Sequence, residues 1–391
     1  MHAPSPHERR DVHRSGRDVT GSPVSIRVGD GVITECSATG VTDGRLLAPA
    51  LVDIQLNGYA GVGVKSDDPN PEDLLRMARA VWATGVGSFV PTVTTDSCER
   101  IDGGIRRVRS ACAQDSLFAS SVPGIHVEGP YISRDDGPRG AHPLEHVRAP
   151  DWNEFSGWQD AADGTIRILT LSPEWDGCAS FIECVADTGV VVAIGHTQAT
   201  PEQIDDAVCA GATLSTHLGN GAHAILARHP NYIWHQLAED GLWASFIADG
   251  HHLPAATFKA MLRAKTLERA VLTSDAVKFA GMPAGAYGDD GDFAVDLLEN
   301  GRVQLAGTPY LAGAGLPLVR GVENAVRFAG VPLAAAWRLA AHNPARLLGL
   351  EDRGALIAGA RADFVVCDWD ADACELYVRE TVVAGEVVYA A

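Results

Sequence analysis

The chain has 391 residues, of which 46% are hydrophobic and 21% are charged, and its formal net charge is −19. This composition is ordinary for a globular protein with a large core, and the length suits one large domain with a small satellite domain. The negative charge and the lack of a Lys/Arg-rich run exclude nucleic acid as an expected partner. An anionic small molecule would need a local cationic pocket to overcome the overall repulsion.

Residues 1–20 are polar and contain no apolar stretch typical of a signal peptide, so we expect a disordered N-terminus in a cytoplasmic protein. The eight cysteines are scattered without CxxC pairs, which indicates buried thiols in a reducing compartment. No uninterrupted apolar stretch is long enough to cross a bilayer, and we expect no membrane partner.

Eight short apolar runs alternate with helical or loop segments. They are LVDIQLNG from Leu51, GSFVPTV from Gly87, VPGIHVEG from Val122, IRILTLS from Ile166, VVVAIGH from Val190, ATLSTHL from Ala212, WASFIAD from Trp243 and AVLTSDA from Ala270. Buried strands alternating with helices predict parallel βαβ units, and eight units predict an α/β fold with a closed (β/α)8 TIM-type barrel over residues 50–355. An open doubly wound sheet is the alternative, but no G-x-G-x-x-G follows a strand.

Helix boundary signals support this alternation. Asn70 can cap a helix that has Pro71 at its first position and Gly85 just past its end. The sequence TPEQ at 200–203 has the spacing of a capping box and predicts a second helix start.

The two ends of the chain have a different pattern. Residues 21–49 and 356–391 contain alternating segments separated by turn signals, and we expect them to pair into a small β-sandwich domain beside the barrel. After the eighth run, Asn300-Gly301 predicts a β-hairpin, in which a type I′ turn requires positive φ at both residues.

Polar residues lie at the C-terminal ends of four predicted strands. Glu128, His196, His217 and Asp275 each end an apolar run, and these strand ends form the face of a barrel that holds active sites. Two imidazoles and a carboxylate that converge with one open position are typical ligands of a catalytic Zn²⁺, and Fe²⁺ also accepts this set. A lone histidine at a strand end is more often a core residue, but two histidines and a glutamate at the same end of separate strands favour metal binding.

Asp275 has two interpretations. It lies in a TSDA turn, where an aspartate can serve only to stabilise the turn. A carboxylate at the barrel mouth can instead take a proton from an attacking water and deliver it to a departing amine. Its position at the same end as the predicted ligands favours the acid/base role.

A series of short motifs extends along the chain. The first are LVDIQLNG (51–58), HVEGPYIS (126–133), GAHP (140–143), LSPE (171–174), GHTQAT (195–200) and THLGN (216–220). The others are ADGHH (248–252), TSDA (273–276), LAGT (305–308), HNPARLLGL (342–350) and GALIAGARADFVV (354–366). Each motif alone is weak, but in this order and spacing they resemble the N-acetylglucosamine-6-phosphate deacetylases of the amidohydrolase superfamily. The resemblance covers nearly the whole chain beyond residue 48.

The resemblance implies roles for individual residues of the chemical site. Glu128, His196 and His217 match the family's metal ligands, which implies one divalent ion per subunit, Zn²⁺ or alternatively Fe²⁺. Asp275 matches the family's acid/base. His142, in GAHP, matches a histidine that contacts the acetamide carbonyl and stabilises the developing oxyanion; its alternative is an ordinary loop histidine.

The resemblance also implies a substrate-binding set and an assembly. Asn220, the Gly221 backbone, Arg228 and His252 fall where the family holds the sugar and the phosphate. The planar fork of Arg suits a phosphate, although a solvated surface arginine is the alternative for Arg228. The stretch around Arg228 matches the family only in part. Members of this family are usually homodimers, so the resemblance implies a homodimer. It also implies a small amino-sugar substrate.

The metal site departs from other barrel amidohydrolases. Many of them begin with an H-x-H pair on the first strand and bridge two metals with a lysine on the fourth strand. This chain has Gln55 and Asn57 at the first positions and no lysine after Leu171 at the end of the fourth strand. We therefore expect a single-metal site, which disfavours hydantoinase-like or dihydroorotase-like reactions.

The segment after His217 departs from the deacetylases themselves. The family usually places a bulky aromatic residue or Met around the Asn where this chain has Gly219, Gly221 and Ala222. The loss of these side chains predicts a widened or reshaped sugar pocket.

Three functions from different classes follow from these observations. The first is metal-dependent hydrolysis of N-acetylglucosamine 6-phosphate to glucosamine 6-phosphate and acetate. The second is hydrolysis of another N-acyl amino sugar or related amide by the same site. The third is a non-catalytic barrel that only binds a ligand. This function predicts that a metal ligand or Asp275 has been lost, but Glu128, His196, His217 and Asp275 are all present.

Overall fold

The computed structural model describes residues 12–40, 42–66, 70–288, 294–308 and 310–391. Its main unit is a barrel of parallel strands that alternate with helices. A mixed sheet is built from strands at the two ends of the chain, and a four-stranded antiparallel sheet follows the last barrel strand.

The strands are named in chain order. They are β1 (Val12–Arg17), β2 (Pro23–Gly29), β3 (Val32–Ala38), β4 (Leu46–Pro49), β5 (Leu51–Leu56), β6 (Gly58–Tyr59), β7 (Val62–Gly63), β8 (Val86–Thr94), β9 (Ile125–Glu128), β10 (Ile166–Leu171) and β11 (Val191–Ile194). Then come β12 (Ala212–Ser215), β13 (Trp243–Phe246), β14 (Ala270–Leu272), β15 (Gly285–Tyr287), β16 (Val295–Leu297), β17 (Arg302–Leu305), β18 (Leu311–Ala314), β19 (Phe364–Asp370), β20 (Glu375–Val383) and β21 (Glu386–Ala390).

The α-helices are named in the same way. They are α1 (Glu72–Trp82), α2 (Cys98–Gln114), α3 (Ser116–Ser121), α4 (Trp152–Ala161), α5 (Cys178–Ala186), α6 (Pro201–Cys209), α7 (Tyr232–Ala238), α8 (Ala255–Lys265), α9 (Leu318–Asn324), α10 (Leu333–Ala340) and α11 (His342–Leu347). A 3₁₀ turn covers Leu144–His146, and a π-helical turn at Ala325–Ala329 follows α9.

Eight parallel strands form the barrel in the order β14-β13-β12-β11-β10-β9-β8-β5. The first and last strands meet through a parallel bridge between Leu56 and Ala276 and a 3.1 Å hydrogen bond from the Asp275 amide to the Gln55 carbonyl oxygen. Each of the eight apolar runs identified in the sequence coincides with one barrel strand, and only β8 extends beyond its run, by one residue at each end. The predicted (β/α)8 barrel is therefore confirmed.

The predicted helix starts are also confirmed. The Asn70 side-chain oxygen accepts a 3.1 Å hydrogen bond from the Glu72 amide at the start of α1. At α6, the Thr200 hydroxyl accepts from the Gln203 amide while the Gln203 side chain accepts from the Thr200 amide, which is the reciprocal pattern of a capping box. These local signals fix where two of the barrel helices begin.

Side chains from alternate strand positions fill the barrel interior. An apolar cluster combines Leu348, which follows α11, with one residue from each of seven strands: Ile54, Val90, Ile168, Ala193, Leu214, Trp243 and Val271. The remaining strand, β9, has His126 in register with Ile168, and His126 Nε2 lies 2.7 Å from Thr170 Oγ1. Thr170 Oγ1 is in turn 2.7 Å from Thr216 Oγ1. The interior thus changes from apolar to polar toward the C-terminal strand ends, where these hydroxyls lie.

The two ends of the chain form one mixed sheet in the order β21-β20-β19-β4-β1-β2-β3. The small β domain is thus built from both ends, as predicted, but its described strands share one sheet rather than the two facing sheets of a sandwich. The reason is that β4 pairs with β1 in parallel and with β19 in antiparallel orientation, which joins the N-terminal and C-terminal strands edge to edge. Its core contains Ile26, Ile33, Phe364 and Val382.

Two local predictions need correction. Residues 1–20 were expected to be disordered, but Val12–Arg17 form β1, which pairs with β2 over six residues; residues 1–11 lie outside the described part of the chain. The hairpin at Asn300-Gly301 exists between β16 and β17, but only Gly301 has positive φ, at 81°. The Leu298 amide donates to the Arg302 carbonyl oxygen at 2.9 Å, so the turn has three loop residues with glycine in the left-handed position.

Among the described residues, no helix combines the length and the hydropathy that a membrane span requires.

Leu348 completes the apolar cluster in the barrel and is 6% exposed. The Leu348→Ala substitution leaves a cavity between strands and should lower the free energy of unfolding by about 2–5 kcal/mol. The control Leu298→Ala, at a leucine that is 39% exposed, should change this free energy by less than about 0.5 kcal/mol. Urea unfolding followed by circular dichroism measures both variants, and equal midpoints would contradict the role of Leu348.

Candidate metal centre and active site

Four reactive side chains lie at the C-terminal ends of barrel strands. Glu128 is the last residue of β9, while His196, His217 and Asp275 follow the ends of β11, β12 and β14. His196, His217 and Asp275 have positive φ angles of 49°, 28° and 51°. Non-glycine residues rarely adopt this conformation, and residues held in it concentrate at functional sites. Strained turns therefore hold three of the four side chains at the barrel mouth.

Glu128, His196 and His217 form a buried cluster of potential metal ligands. The two histidine Nε2 atoms are 3.1 Å apart, and Glu128 Oε1 lies 3.3 Å from His196 Nε2 and 2.9 Å from His217 Nε2. Ligand atoms about 2.0–2.1 Å from a tetrahedral Zn²⁺ are themselves about 3.3 Å apart. The spacing and the chemistry of these three donors therefore fit a single divalent ion.

Hydrogen bonds around the cluster orient its donor atoms. His196 Nδ1 lies 2.8 Å from the carbonyl oxygen of Pro138. Because a carbonyl oxygen only accepts, Nδ1 carries the proton, and Nε2 presents its lone pair to the other ligands. Gln55 Nε2 donates to Glu128 Oε1 at 2.8 Å and so fixes the plane of the carboxylate. The cluster is thus prepared to bind a cation before any ion arrives.

The electrostatics of the cluster favour an ionised carboxylate. Burial raises the pKa of Glu128, but the interactions of its carboxylate with the adjacent His196 and His217 rings outweigh burial and hold this pKa well below its usual range. Burial lowers the pKa of His217, whereas its hydrogen bond to Glu128 raises it, and the result is a raised pKa. A buried negative charge needs a cationic partner, which a divalent ion supplies.

Asp275 is 9% exposed, and its side chain is oriented by Asn57, which directly follows β5. Its Oδ1 accepts a 2.6 Å hydrogen bond from Asn57 Nδ2. Burial and the charge of Glu128 raise the pKa of Asp275 to about 6, although nearby histidines and Asn57 act in the opposite direction. A carboxyl group with a pKa near neutrality can both accept and donate a proton, as general acid/base catalysis requires.

His142 lies beside the cluster, with its ring centroid 4.3 Å from that of His196. Its Nδ1 is 2.7 Å from Thr95 Oγ1. Desolvation and the neighbouring His196 lower the pKa of His142 to about 3, so the ring is neutral near pH 7. A neutral imidazole has one N–H, which suits it to donate a hydrogen bond to a carbonyl oxygen.

Comparison with known proteins places this site in a family. A model described as "Amidohydrolase family" matches residues 46–388. The chain belongs to the amidohydrolase family. The resemblance stated from the motifs is therefore confirmed, and the metal-binding character of the cluster agrees with it.

Characterised relatives narrow the family membership. An N-acetylgalactosamine-6-phosphate deacetylase of Escherichia coli O157:H7 is 35% identical over 349 residues, which cover 88% of this chain and 90% of the relative. An N-acetylglucosamine-6-phosphate deacetylase of Lysinibacillus sphaericus is 30% identical over 384 residues, which cover 96% of this chain and 95% of the relative. The chain is thus a deacetylase of the amidohydrolase family.

Solved structures agree with this assignment over nearly the full length. N-acetyl-D-glucosamine-6-phosphate deacetylase from Mycobacterium smegmatis, in complex with N-acetyl-D-glucosamine-6-phosphate, has a TM-score of 0.86 and 30% identity and covers 97% of this chain and 99% of its own. The Thermotoga maritima N-acetylglucosamine-6-phosphate deacetylase has a TM-score of 0.84 and 27% identity, with the same two coverages.

Three predicted substrate-binding residues of the amidohydrolase lie near the ligand cluster or Asp275. Asn220 Nδ2 donates to the His217 carbonyl oxygen at 3.1 Å, and Gly221 packs against the His196 ring. His252 Nδ1 is 2.7 Å from Asp249 Oδ2, and His252 contributes to the electrostatic field at Asp275. The structure thus groups Asn220, Gly221 and His252 around the cluster.

Arg228 is placed differently. It is exposed in the loop that precedes α7, and its side chain has no hydrogen bond or ion pair with another described residue. The structure therefore does not bring Arg228 into contact with the other predicted residues, and its predicted role in phosphate binding stays a prediction.

The glycines that depart from the family pattern do not enlarge the pocket in the expected way. A Cβ at Gly219 would lie 3.0 Å from Leu253 Cδ2 and 3.1 Å from Met261 Cε, and a Cβ at Gly221 would lie 2.6 Å from His196 Nδ1. Gly221 also has a φ of 55°, which favours glycine. The space beside both backbones is already filled, so Gly219 permits close packing of Leu253 and Met261 and Gly221 permits close packing of His196, rather than a wider cavity.

Sequence reasoning missed part of the supporting structure. Gln55 and Asn57 were noted only as replacements for metal-binding histidines, but they donate hydrogen bonds to Glu128 and Asp275. Thr95 and Pro138, which contact His142 and His196, were not identified. Thr95 directly follows β8, so the strand-end rule that found Glu128 could have found it. Nothing in the sequence indicates that the Pro138 carbonyl meets His196.

The His196→Ala substitution removes one of the three donors and should lower the bound metal from about one ion per subunit to well under half after dialysis, because a two-ligand site binds weakly. The control His13→Ala changes an exposed histidine in the terminal sheet and should keep the wild-type content. Inductively coupled plasma mass spectrometry measures both, and full retention of metal by His196→Ala would exclude His196 as a ligand.

Proposed function

We propose that the chain hydrolyses the acetamide of N-acetylglucosamine 6-phosphate, giving glucosamine 6-phosphate and acetate. The observation that carries this proposal is the convergence of Glu128, His196 and His217 within 3.3 Å at the barrel mouth. Near-full-length similarity to deacetylases of this substrate supports the choice of sugar. A homodimer with a small-molecule substrate is the assembly we infer.

One divalent ion, Zn²⁺ in our proposal with Fe²⁺ as the alternative, is held by Glu128, His196 and His217. Such an ion polarises a carbonyl and lowers the pKa of water, which makes water a competent nucleophile near pH 7. Two neutral imidazoles and one carboxylate would leave a net positive charge on a bound divalent ion. The protein supplies the remaining steps through its own side chains.

Asp275 is the proton-transfer residue of the proposed reaction. Its carboxylate takes a proton from water as the water oxygen bonds to the amide carbon, and it returns that proton to the sugar nitrogen as the C–N bond breaks. Asn57, which donates to Oδ1, holds one carboxylate oxygen in place and leaves the other for proton transfer. The second water proton stays on the new carboxyl group and passes to the amine as the acetic acid ionises. Acetate and the protonated amine are therefore the products, and the proton count balances.

His142 and the substrate-binding residues complete the site. The neutral His142 ring donates a hydrogen bond to the amide oxygen as negative charge develops there. Asn220, the Gly221 backbone and His252 are assigned to the sugar, and Arg228 is assigned to the phosphate. A cation at the phosphate is required because the overall charge of −19 repels an anionic substrate.

N-acetylgalactosamine 6-phosphate is a second candidate substrate. The E. coli relative that acts, by its name, on N-acetylgalactosamine 6-phosphate is 35% identical to this chain, above the 30% of the Lysinibacillus relative. The two sugars differ in the configuration of one ring hydroxyl, away from the acetamide. The same catalytic residues therefore serve either substrate.

A substrate panel tests the function. Acetate release by metal-replete protein is measured on N-acetylglucosamine 6-phosphate, N-acetylgalactosamine 6-phosphate and unphosphorylated N-acetylglucosamine. We expect the highest kcat/KM on the first, and a large loss without the phosphate. A preference for the galactosamine compound would move the assignment to the second sugar, and no turnover on any of them would overturn both.

The Asp275→Asn variant keeps the shape of the side chain but removes its basicity. We expect kcat to fall by about 10²–10⁴-fold with bound metal close to wild type, because proton transfer is lost and the three ligands remain. Asp205→Asn, at an exposed carboxylate on α6, serves as the matched control and should keep wild-type kcat. Wild-type turnover by Asp275→Asn would contradict the acid/base role.

Chelation followed by reconstitution tests the metal. Dialysis against a strong chelator should abolish acetate release, and stoichiometric Zn²⁺ should restore it. Restoration by Fe²⁺ under anaerobic conditions, with little recovery in Zn²⁺, would assign the alternative ion. Full activity of metal-free protein would contradict a metal-dependent reaction.

A further inference from the structure

Thr95 lies directly beneath His142 at the end of β8. It is fully buried, and its Oγ1 is 2.7 Å from His142 Nδ1 and 3.4 Å from the Glu128 carbonyl oxygen. A Cβ at residue 129 would lie only 2.1 Å from Thr95 Oγ1, so Gly129 leaves the space that the hydroxyl occupies. A hydrogen bond from Lys65 Nζ to the Thr95 carbonyl oxygen, at 3.1 Å, holds the backbone there. The hydroxyl is therefore confined beside the His142 ring.

The direction of the Thr95–His142 hydrogen bond follows from the two distances. The hydroxyl has one proton and two candidate acceptors, His142 Nδ1 and the Glu128 carbonyl oxygen. At 2.7 Å the first contact is at the optimum for an O–H donor, whereas 3.4 Å is beyond its usual range. Thr95 accordingly donates to Nδ1, and Nδ1 carries no proton.

The state of the His142 ring then determines where its own proton lies. Because Nδ1 accepts the Thr95 hydroxyl proton, the ring cannot be the doubly protonated imidazolium, and it has a single N–H. With Nδ1 acting as an acceptor, that proton is on Nε2. Nε2 has no hydrogen-bond partner among the described residues, and it is thus available to a substrate oxygen.

We propose that Thr95 is a positioning residue that fixes the Nε2–H tautomer of His142, so that a neutral imidazole donates a hydrogen bond to the amide carbonyl oxygen. This inference rests on the proposed function, in which His142 contacts that oxygen. The opposite tautomer would present a lone pair on Nε2, and a lone pair repels a developing oxyanion. Control of the tautomer therefore determines whether His142 assists or opposes the reaction.

Two variants separate the hydroxyl from the rest of the side chain. Thr95→Val keeps the shape and removes the hydroxyl, while Thr95→Ser keeps the hydroxyl. We expect Thr95→Val to lower kcat by about 10²-fold, the scale of losing one oxyanion donor, with KM within about twofold and metal content unchanged. Thr95→Ser should retain kcat within about threefold of wild type. Equal kcat in the wild type and a folded, metal-bound Thr95→Val variant would overturn the proposal.

The tautomer itself is read directly in the metal-replete wild type by long-range ¹H–¹⁵N NMR with ¹⁵N-histidine labelling. His142→Gln assigns the signals. We expect the chemical shift of a protonated Nε2 and of an unprotonated Nδ1, and a shift toward the mixed state in Thr95→Val. A protonated Nδ1 in the wild type would overturn the proposal even if Thr95→Val fails to fold.

The NMR measurement also separates this inference from the proposed function. If the wild type releases no acetate from any sugar of the panel, the proposed function fails. The tautomer still reports whether Thr95 controls His142. If the wild type is active but Nδ1 is protonated, the function stands and the role of Thr95 fails.

Discussion

The structure depends on keeping the negative charge of Glu128 inside a barrel. Glu128 is 3% exposed, and removal of a carboxylate from water costs several kcal/mol unless partners compensate for it. Its Oε1 is met by Gln55 from β5 and by His196 and His217 from the loops after β11 and β12. Partners from across the barrel converge on one atom, so the charge is stable only when the strands have closed in the correct order. The closure of the barrel and the assembly of the three potential metal ligands therefore depend on the same contacts.

The junction between the first and last barrel strands orients the carboxylate of Asp275, the proposed acid/base. At the junction of β5 and β14, the Asp275 amide donates to the Gln55 carbonyl oxygen while Asn57 donates to the Asp275 side chain. One residue earlier, the Ser274 amide donates to Asp53 Oδ1 at 3.0 Å. Burial raises the pKa of Asp53, although these hydrogen bonds act to lower it. The contacts that close the barrel are therefore also the contacts that orient the proposed acid/base.

The features of the fold and the site that could be predicted from the sequence are those that repeat along the chain. Eight apolar runs gave the barrel strands because a buried parallel strand requires a continuous apolar run, and polar residues at the strand ends marked Glu128 and His196. The strand β1 escaped prediction because its sequence, VHRSGR, is polar and is ordered by pairing with β2. Contacts such as that of His196 with the Pro138 carbonyl join residues 58 positions apart, and no local pattern encodes them.

The residues proposed for catalysis and Arg228, proposed for phosphate binding, differ in how they are held in place. Glu128, His142 and Asp275 are each held by hydrogen bonds to buried neighbours, whereas Arg228 lies in an exposed loop. The Gly219–Gly221 backbone cannot adjust to a new sugar by adding side chains, because Leu253, Met261 and His196 fill the adjacent space. Under the proposed function, selection between sugars that share an acetamide therefore rests on the polar groups of Asn220 and His252 and on the rest of the loop, not on side chains at these glycines. Relatives named for two different sugars each align with at least 88% of this chain, so a change of sugar calls for local differences rather than a different overall length or order of elements.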